Sequence, residues 1–314
     1  MKRTGIIDIG TNTFNLLIIE FGQDKSHKIV HEEKLPVKLG KGSMKDGVLK
    51  DDAIQRALVA IGKHIETSKK YGAKKVEAFA TSAVRNAKNK EYFINEVKIR
   101  TGLHVNVISG DKEAFYIYLG VKQAVKMLPG IVYLILDIGG GSNEFIICDH
   151  ENIHWRKSYD LGMARLLEII SPSNPISENE IEEIIAHTES LIHDLAEQCD
   201  IYRPSVLIGA SGSFETYLSM ILMEQTGSDN ILQKNTELEI QIDDFNRLYE
   251  RLIFSTAEER IKMPGLPDWR VDMIVLAIIF TKFVLKKFEL QQIIYSGYAL
   301  KEGVMHEFTN ILTK

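Results

Sequence analysis

Two short segments of this chain each place a carboxylate directly before a turn rich in glycine and hydroxyl groups. Asp8-Ile9-Gly10-Thr11-Asn12-Thr13 is echoed 129 residues later by Asp137-Ile138-Gly139-Gly140-Gly141-Ser142. Glycine lets a ligand approach the backbone N–H groups because no Cβ stands in the way, and successive N–H groups in a turn form a concave donor surface for anions. The chemistry such turns suit is phosphate binding, through Gly10, Thr11, Asn12 and Thr13 in the first copy and Gly139, Gly140, Gly141 and Ser142 in the second. Asp8 and Asp137, at the strand ends, are placed to hold Mg²⁺, a hard cation that takes carboxylate and phosphate oxygens together. No GxxxxGK[ST] loop occurs, and no GxGxxG follows a strand, so neither of the usual glycine-rich nucleotide loops is expected. Gly40-Lys41-Gly42-Ser43 reads as a flexible turn.

The elements that must position these groups follow from the hydrophobic pattern. In both copies an apolar run precedes the turn and another follows it (Leu16 to Ile19, Phe145 to Cys148), as in a buried β-hairpin. Alternating segments fill the rest of each half. Helices are expected over Asp51 to Tyr71, Glu91 to Thr101, Ser177 to Cys199 and Arg270 to Phe288, the third opened by Ser177 and early acids. Strands are expected over Val76 to Ala80, Val105 to Ile108 and Val206 to Gly209. The fold class is therefore α/β with two related domains, divided between Gly120 and Gly130 and written here as residues 1–125 and 126–314.

Composition narrows the function. The chain has 45% hydrophobic and 26% charged residues and a net charge of −5, which fits a globular protein and argues against a general nucleic-acid binder. The charge is uneven. Residues 1–125 hold 22 Lys+Arg against 14 Asp+Glu, whereas residues 126–314 hold 16 against 29, so the first half is the side that attracts a polyanion. The longest apolar stretch, Ile274 to Phe280, is too short to span a bilayer, and no secretion signal is evident. Cys148 and Cys199 lack CxxC spacing and read as buried thiols in a reducing cytoplasm.

A run of further motifs makes the resemblance specific. Asp8 to Thr13, Ala80-Thr81-Ser82-Ala83-Val84-Arg85-Asn86-Ala87-Lys88-Asn89, Ile108-Ser109-Gly110-Asp111-Lys112-Glu113-Ala114 and Asp137 to Glu144 resemble, in order, motifs of the exopolyphosphatase and guanosine-pentaphosphate phosphohydrolase family. Leu161-Gly162-Met163-Ala164-Arg165-Leu166, Arg260 through Asp272 and Ser296 to Gly303 continue the similarity along nearly the whole chain. The resemblance implies two ribonuclease-H-like domains of the actin-like, sugar-kinase-like (ASKHA) architecture, with ligands held in an interdomain cleft. It implies Glu113 as the catalytic base, Arg85 as a phosphate ligand, and Asp137 and Glu144 as metal-side carboxylates with Asp8 helping from the opposite turn. Mg²⁺, or another divalent cation, is the expected cofactor.

Inorganic polyphosphate is the expected substrate, with guanosine pentaphosphate (pppGpp) as the close alternative. A cytoplasmic homodimer that binds neither nucleic acid nor membrane is expected. Residues 126–314 hold no region like the helical phosphohydrolase domain that follows in long family members, and the His193-Asp194 pair is read as a surface feature of a helix. The family's late glycine-threonine turn is altered here to Gly209-Ala210-Ser211-Gly212-Ser213-Phe214-Glu215-Thr216, which suggests a nucleoside held differently or not at all. Two rivals differ in what they do with bound phosphate. A kinase of the same superfamily would transfer it to an acceptor, and a polyphosphate or alarmone sensor would bind without release.

Overall fold

The computed structural model describes residues 2–22 and 27–311. The chain forms two compact units, Met1–Gly120 with Leu300–Lys314, and Val121–Ala299. The division falls in the expected window, but the second unit does not run to the C-terminus as the 126–314 assignment has it. The last helix returns to the first unit, and the physical reason is a set of polar and apolar contacts described below.

The first unit contains β1 (Lys2–Ile9), β2 (Thr13–Phe21), β3 (His27–Pro36), α1 (Asp51–Lys70), β4 (Lys75–Ala80), α2 (Ser82–Arg85), α3 (Lys90–Thr101), β5 (Val105–Val107) and α4 (Gly110–Ala124), within which the division between units falls. Its sheet has the order β3-β2-β1-β4-β5, with β1 antiparallel to β2 and parallel to β4. Ile7, Ile9, Phe14, Leu16 and Ile18 are buried in a core with Ile54, Ala57 and Ile61 of α1 and Phe93 and Val97 of α3. A fully buried side chain of this size contributes roughly 1.5–3 kcal/mol, and since Ile6, Leu17 and Ile19 on the opposite face are buried as well, both faces of the hairpin are covered.

The second unit contains β6 (Tyr133–Ile138), β7 (Asn143–Cys148), β8 (Ile153–Tyr159), α5 (Met163–Ile170), α6 (Glu178–Leu191), α7 (His193–Tyr202), β9 (Val206–Ala210), α8 (Ser211–Thr226), β10 (Glu237–Ile240), α9 (Ile242–Ile253), α10 (Ala257–Arg260), α11 (Met273–Lys287) and β11 (Gln292–Ser296). Its sheet order, β10-β11-β9-β6-β7-β8, repeats the first sheet strand for strand if β10 is set aside. Every residue of β6 and β7 is buried, which is why these strands read as continuous apolar runs. The α11 helix is the centre of this unit's core, with Ile274 to Phe280 all buried.

Three local expectations are revised. The helix expected over Ser177 to Cys199 is two helices, because Ile192 leaves helical geometry (φ −111°, ψ 28°) and lies buried between them. The start is as expected, since Ser177 and Glu180 form a reciprocal capping box. The α11 helix begins at Met273 rather than Arg270, since Asp268–Arg270 form a separate 3₁₀ turn. Asp194 is more than a surface feature of a helix: it accepts from Tyr159 Oη at 2.7 Å and from Lys157 Nζ at 2.5 Å, tying α7 to β8.

The α12 helix (Leu300–Ile311) belongs to the first unit. Lys112 Nζ donates to Glu307 Oε1 at 2.6 Å, Tyr116 Oη also donates to Glu307, and Phe308 packs beside Phe79. Lys301 lies between Glu32 on β3 (2.9 Å) and Glu302. Burial works against its charge, but the two carboxylates prevail and hold the ammonium above its usual range.

Candidate functional site

The two hairpin turns are built alike. Asp8 pairs in register with Asn15 and Asp137 with Glu144, each across the two antiparallel strands. Within the turns, Gly10 N–H donates to Thr13 O at 3.2 Å and Gly139 N–H donates to Ser142 O at 3.1 Å. A Cβ on Gly10 would lie 2.7 Å from Thr13 O, and one on Gly139 would lie 2.5 Å from Ser142 O. Glycine is therefore required at both positions by close approach.

In each unit the segment after the third strand grips the turn from its carbonyl side. In the second unit, Met163 N–H donates to Gly139 O (2.9 Å), Ala164 and Arg165 N–H to Gly140 O (2.9 and 3.2 Å), and Arg165 Nε to Gly141 O (3.2 Å). A trans peptide sets each carbonyl antiparallel to the next N–H. The N–H groups of Gly140, Gly141 and Ser142 are thus turned away from α5, as an anion-binding concavity needs. Gly162 permits the grip, for a Cβ there would sit 2.3 Å from Gly140 C and O. In the first unit, Gly40 N–H donates to Thr11 O (2.9 Å), and Val37 and Lys38 N–H both donate to Asn12 O (2.8 Å). The same logic turns the N–H groups of Asn12 and Thr13 outward. Gly40 to Ser43, expected as a flexible turn, is instead pinned, with Ser43 Oγ donating to Gly40 O.

The carboxylates differ in their surroundings. Asp8 accepts from Asn15 Nδ2 at 2.9 Å. Asp137 is 8% exposed, and burial pushes its carboxyl up to about 6, against the Ser211 hydroxyl and the Arg270 guanidinium, which pull the other way. Glu144 is 2% exposed and accepts at Oε1 from both Ser142 Oγ and Ser158 Oγ, each at 2.6 Å. Ser142's hydroxyl is thus turned to Glu144, while its backbone faces the turn. Among the described residues, no group of three or more His, Cys, Asp or Glu is assembled to hold a metal ion. Two paired hard carboxylates suit Mg²⁺, which keeps several waters and shares substrate phosphates rather than filling an all-protein cage.

Glu113 lies in the first turn of α4, whose N-terminal end is supported by Lys112 N–H donating to Ser109 Oγ at 3.2 Å. It is 7% exposed, and Arg85 Nη1 donates to its Oε2 at 2.6 Å and to Ile108 O at 3.3 Å. The two motifs carrying Arg85 and Glu113 are therefore brought together.

Two residues escaped the sequence reading. Asn15 takes in the first unit the place that Glu144 takes in the second, and the shared seven-residue spacing from Asp8 and Asp137 was the available signal. Arg270 lies over the turn after β9: a Cβ on Gly212 would meet its Nη2 at 1.6 Å. Burial depresses this guanidinium, with Glu215 and Asp137 acting against the shift, so a cation stands beside Asp137 and the Ser211–Gly212 turn. Ser211 itself is left-handed (φ 65°), an uncommon conformation for a non-glycine residue. The bulky Phe214 of the altered turn does not face a ligand. It is buried against Gly209 and Tyr217.

Comparison with known proteins bears on this geometry. Residues 18–310 match the Ppx/GppA phosphatase family. A bifunctional 3-dehydroquinate synthase/phosphatase of Fusobacterium nucleatum is 33% identical over 95% of the chain, which spans 46% of that protein. A putative exopolyphosphatase of Haemophilus influenzae is 26% identical over 98% of the chain and 91% of its own length. The crystal structure of an exopolyphosphatase from Cytophaga hutchinsonii superposes with a TM-score of 0.94 at 36% identity, covering 98% of each chain. The duplicated hairpins, their gripped glycine turns and the Arg85–Glu113 pair accordingly sit in a two-unit α/β chain that belongs to the Ppx/GppA phosphatase family.

Proposed function

We propose that the protein is an exopolyphosphatase, releasing terminal orthophosphate from inorganic polyphosphate by attack of water on the terminal phosphorus. The observation that carries this reading is the Arg85–Glu113 contact at 2.6 Å, within a unit whose own glycine turn presents its N–H groups outward. Glu113 takes the proton of the attacking water, as a positioned carboxylate does in general base catalysis. Arg85 exchanges its carboxylate partner for phosphate oxygens, which a guanidinium binds through two parallel hydrogen bonds. Gly10 to Thr13 and Gly139 to Ser142 hold phosphate oxygens through backbone donors. Asp137 and Glu144, paired across β6 and β7, would hold Mg²⁺. When bound, the cation neutralises phosphate charge and orients the terminal group.

The similar proteins named exopolyphosphatase, in Haemophilus influenzae and Cytophaga hutchinsonii, support polyphosphate as a substrate, with guanosine pentaphosphate the alternative. A cytoplasmic setting is part of the reading. It is supported by the buried free thiols Cys148 and Cys199, both pushed up to about 12 by burial. Among the described residues no helix is long and apolar enough to cross a membrane. A homodimer belongs to the reading on family resemblance alone.

The test is product analysis. Medium-chain polyphosphate, guanosine pentaphosphate and ATP are each incubated with the protein and Mg²⁺, and orthophosphate and remaining chain lengths are followed. Stepwise shortening of polyphosphate with the highest kcat/KM is expected. Internal cleavage, or preference for guanosine pentaphosphate, would replace this assignment.

A further inference from the structure

The strand register lays out a row of residues across one face of each sheet. In the second unit the row runs from Ala210 on β9 through Asp137 on β6 and Glu144 on β7 to Ser158 on β8. In the first unit the corresponding row is Phe79, Asp8, Asn15 and Lys34. The two rows are chemically unlike. The first sets an amide and an ammonium beside its one carboxylate, whereas the second sets two carboxylates side by side and ends on a hydroxyl. Like charges directly opposite on adjacent strands repel, so the second row needs something to hold both carboxylates in place.

We propose that Ser158 is a positioning residue that fixes the carboxylate of Glu144 for the divalent cation. Two hydroxyls converge on Glu144 Oε1, each at 2.6 Å. Ser142 reaches it from the glycine turn and Ser158 from the neighbouring strand. A carboxylate oxygen offers two lone pairs, and here both donors are short, so the carboxylate plane is set against rotation about its last torsion. One donor comes from the turn that binds phosphate. The other comes from β8, an edge strand anchored through Tyr159 and Lys157 to Asp194 of α7. Ser158 therefore ties Glu144 to the rigid sheet rather than to the turn alone. Metal-ligating carboxylates are themselves hydrogen-bonded in this way, and losing the outer partner typically lowers metal affinity by about 10- to 100-fold.

The inference rests on the exopolyphosphatase reading, and its test separates the two. Mn²⁺ binding to wild type, Ser158→Ala, Ser158→Thr and Glu144→Gln is measured by titration calorimetry or by the free-ion paramagnetic resonance signal. Melting temperature and the Mg²⁺ dependence of phosphate release are measured on the same samples. Ser158→Ala is expected to weaken metal binding by about 10- to 100-fold. It should raise the Mg²⁺ concentration for half-maximal rate while leaving the rate at saturating Mg²⁺ near wild type. Ser158→Thr restores both, because it keeps the hydroxyl, and adding Ser158→Ala to Glu144→Gln weakens binding no further. Equal metal affinity in all the serine variants, or a loss that follows melting temperature and is not rescued by threonine, overturns the role of Ser158. A wild type that binds Mn²⁺ with the expected Ser158 dependence yet releases no phosphate would refute the hydrolase reading and leave the positioning role standing.

Discussion

At the scale of single residues, the chemistry is divided between a base already in contact with a guanidinium and a carboxylate whose burial disfavours its charge. On the proposed function, substrate phosphate competes with Glu113 for Arg85, and Glu113 acts once its partner has turned to the ligand. Arg85→Ala is expected to raise KM at least tenfold, and Arg85→Lys to recover little of it, since an ammonium cannot make the paired hydrogen bonds. Steady-state kinetics on polyphosphate checks both. Asp137 carries a pH dependence whose sign follows from its carboxyl being pushed up to about 6. The folded protein binds this proton more tightly than the unfolded chain does. Stability from this group is therefore present below the ordinary carboxylate range and is lost as pH rises towards about 6. The ionised group then costs on the order of 3 kcal/mol in metal-free protein. Asp137→Asn should raise the melting temperature by a few degrees at pH 7.5 in chelator, and the gain should shrink below about pH 5, while phosphate release is lost. A lower melting temperature for the variant at pH 7.5 would show that Asp137 is not strained by burial. Among these residues, Asp8, Asp137, Glu113 and Arg85 were legible because motifs carry them. The Asn15 and Ser158 contacts were not, because cross-strand register brings together residues that sequence spacing keeps apart.

Among the elements, the hairpins and the helices α1 and α3 follow directly from apolar periodicity, and the structure keeps those two helices within a residue of expectation. The split at Ile192 was hidden because the apolar spacing continues through it, and one residue outside helical geometry leaves no compositional mark. The grip on the glycine turns was hidden for a different reason. Apart from Arg165 Nε, it is made by backbone donors of α5 and of residues 37–40, which any sequence supplies, and Gly162 and Gly40 betray it by their small size. Gly162→Ala therefore tests the grip directly. The added methyl must displace the Gly140 peptide, so phosphate affinity should fall and KM should rise by an order of magnitude or more. The melting temperature should fall as well, by an amount typical of a backbone clash, on the order of 1–3 kcal/mol. Wild-type KM in a folded Gly162→Ala protein would mean that the turn does not hold phosphate through its outward N–H groups.

Across the whole molecule, the chain leaves its first unit after Gly120, builds the second, and returns through α12. Sequence duplication revealed two related halves, but a contiguous reading assigned the last helix to the half it follows. Its true partners, Lys112, Tyr116, Phe79 and Glu32, lie some 200 residues or more earlier and could not be found by periodicity. Removing residues 300–314 should therefore destabilise the first unit, detectable as faster amide hydrogen exchange in β1, β2 and α4, with protection of the second unit's core retained. Whether Glu113 promotes hydrolysis of a phosphoanhydride bond is decided by a single comparison. Orthophosphate release from medium-chain polyphosphate with Mg²⁺ is measured for wild type and Glu113→Gln, alongside binding of the same polyphosphate. Steady release by wild type, a drop of about 10²- to 10⁴-fold in kcat for the variant, and unchanged binding are expected. Binding without release by wild type, or undiminished release by Glu113→Gln, would contradict that role for Glu113.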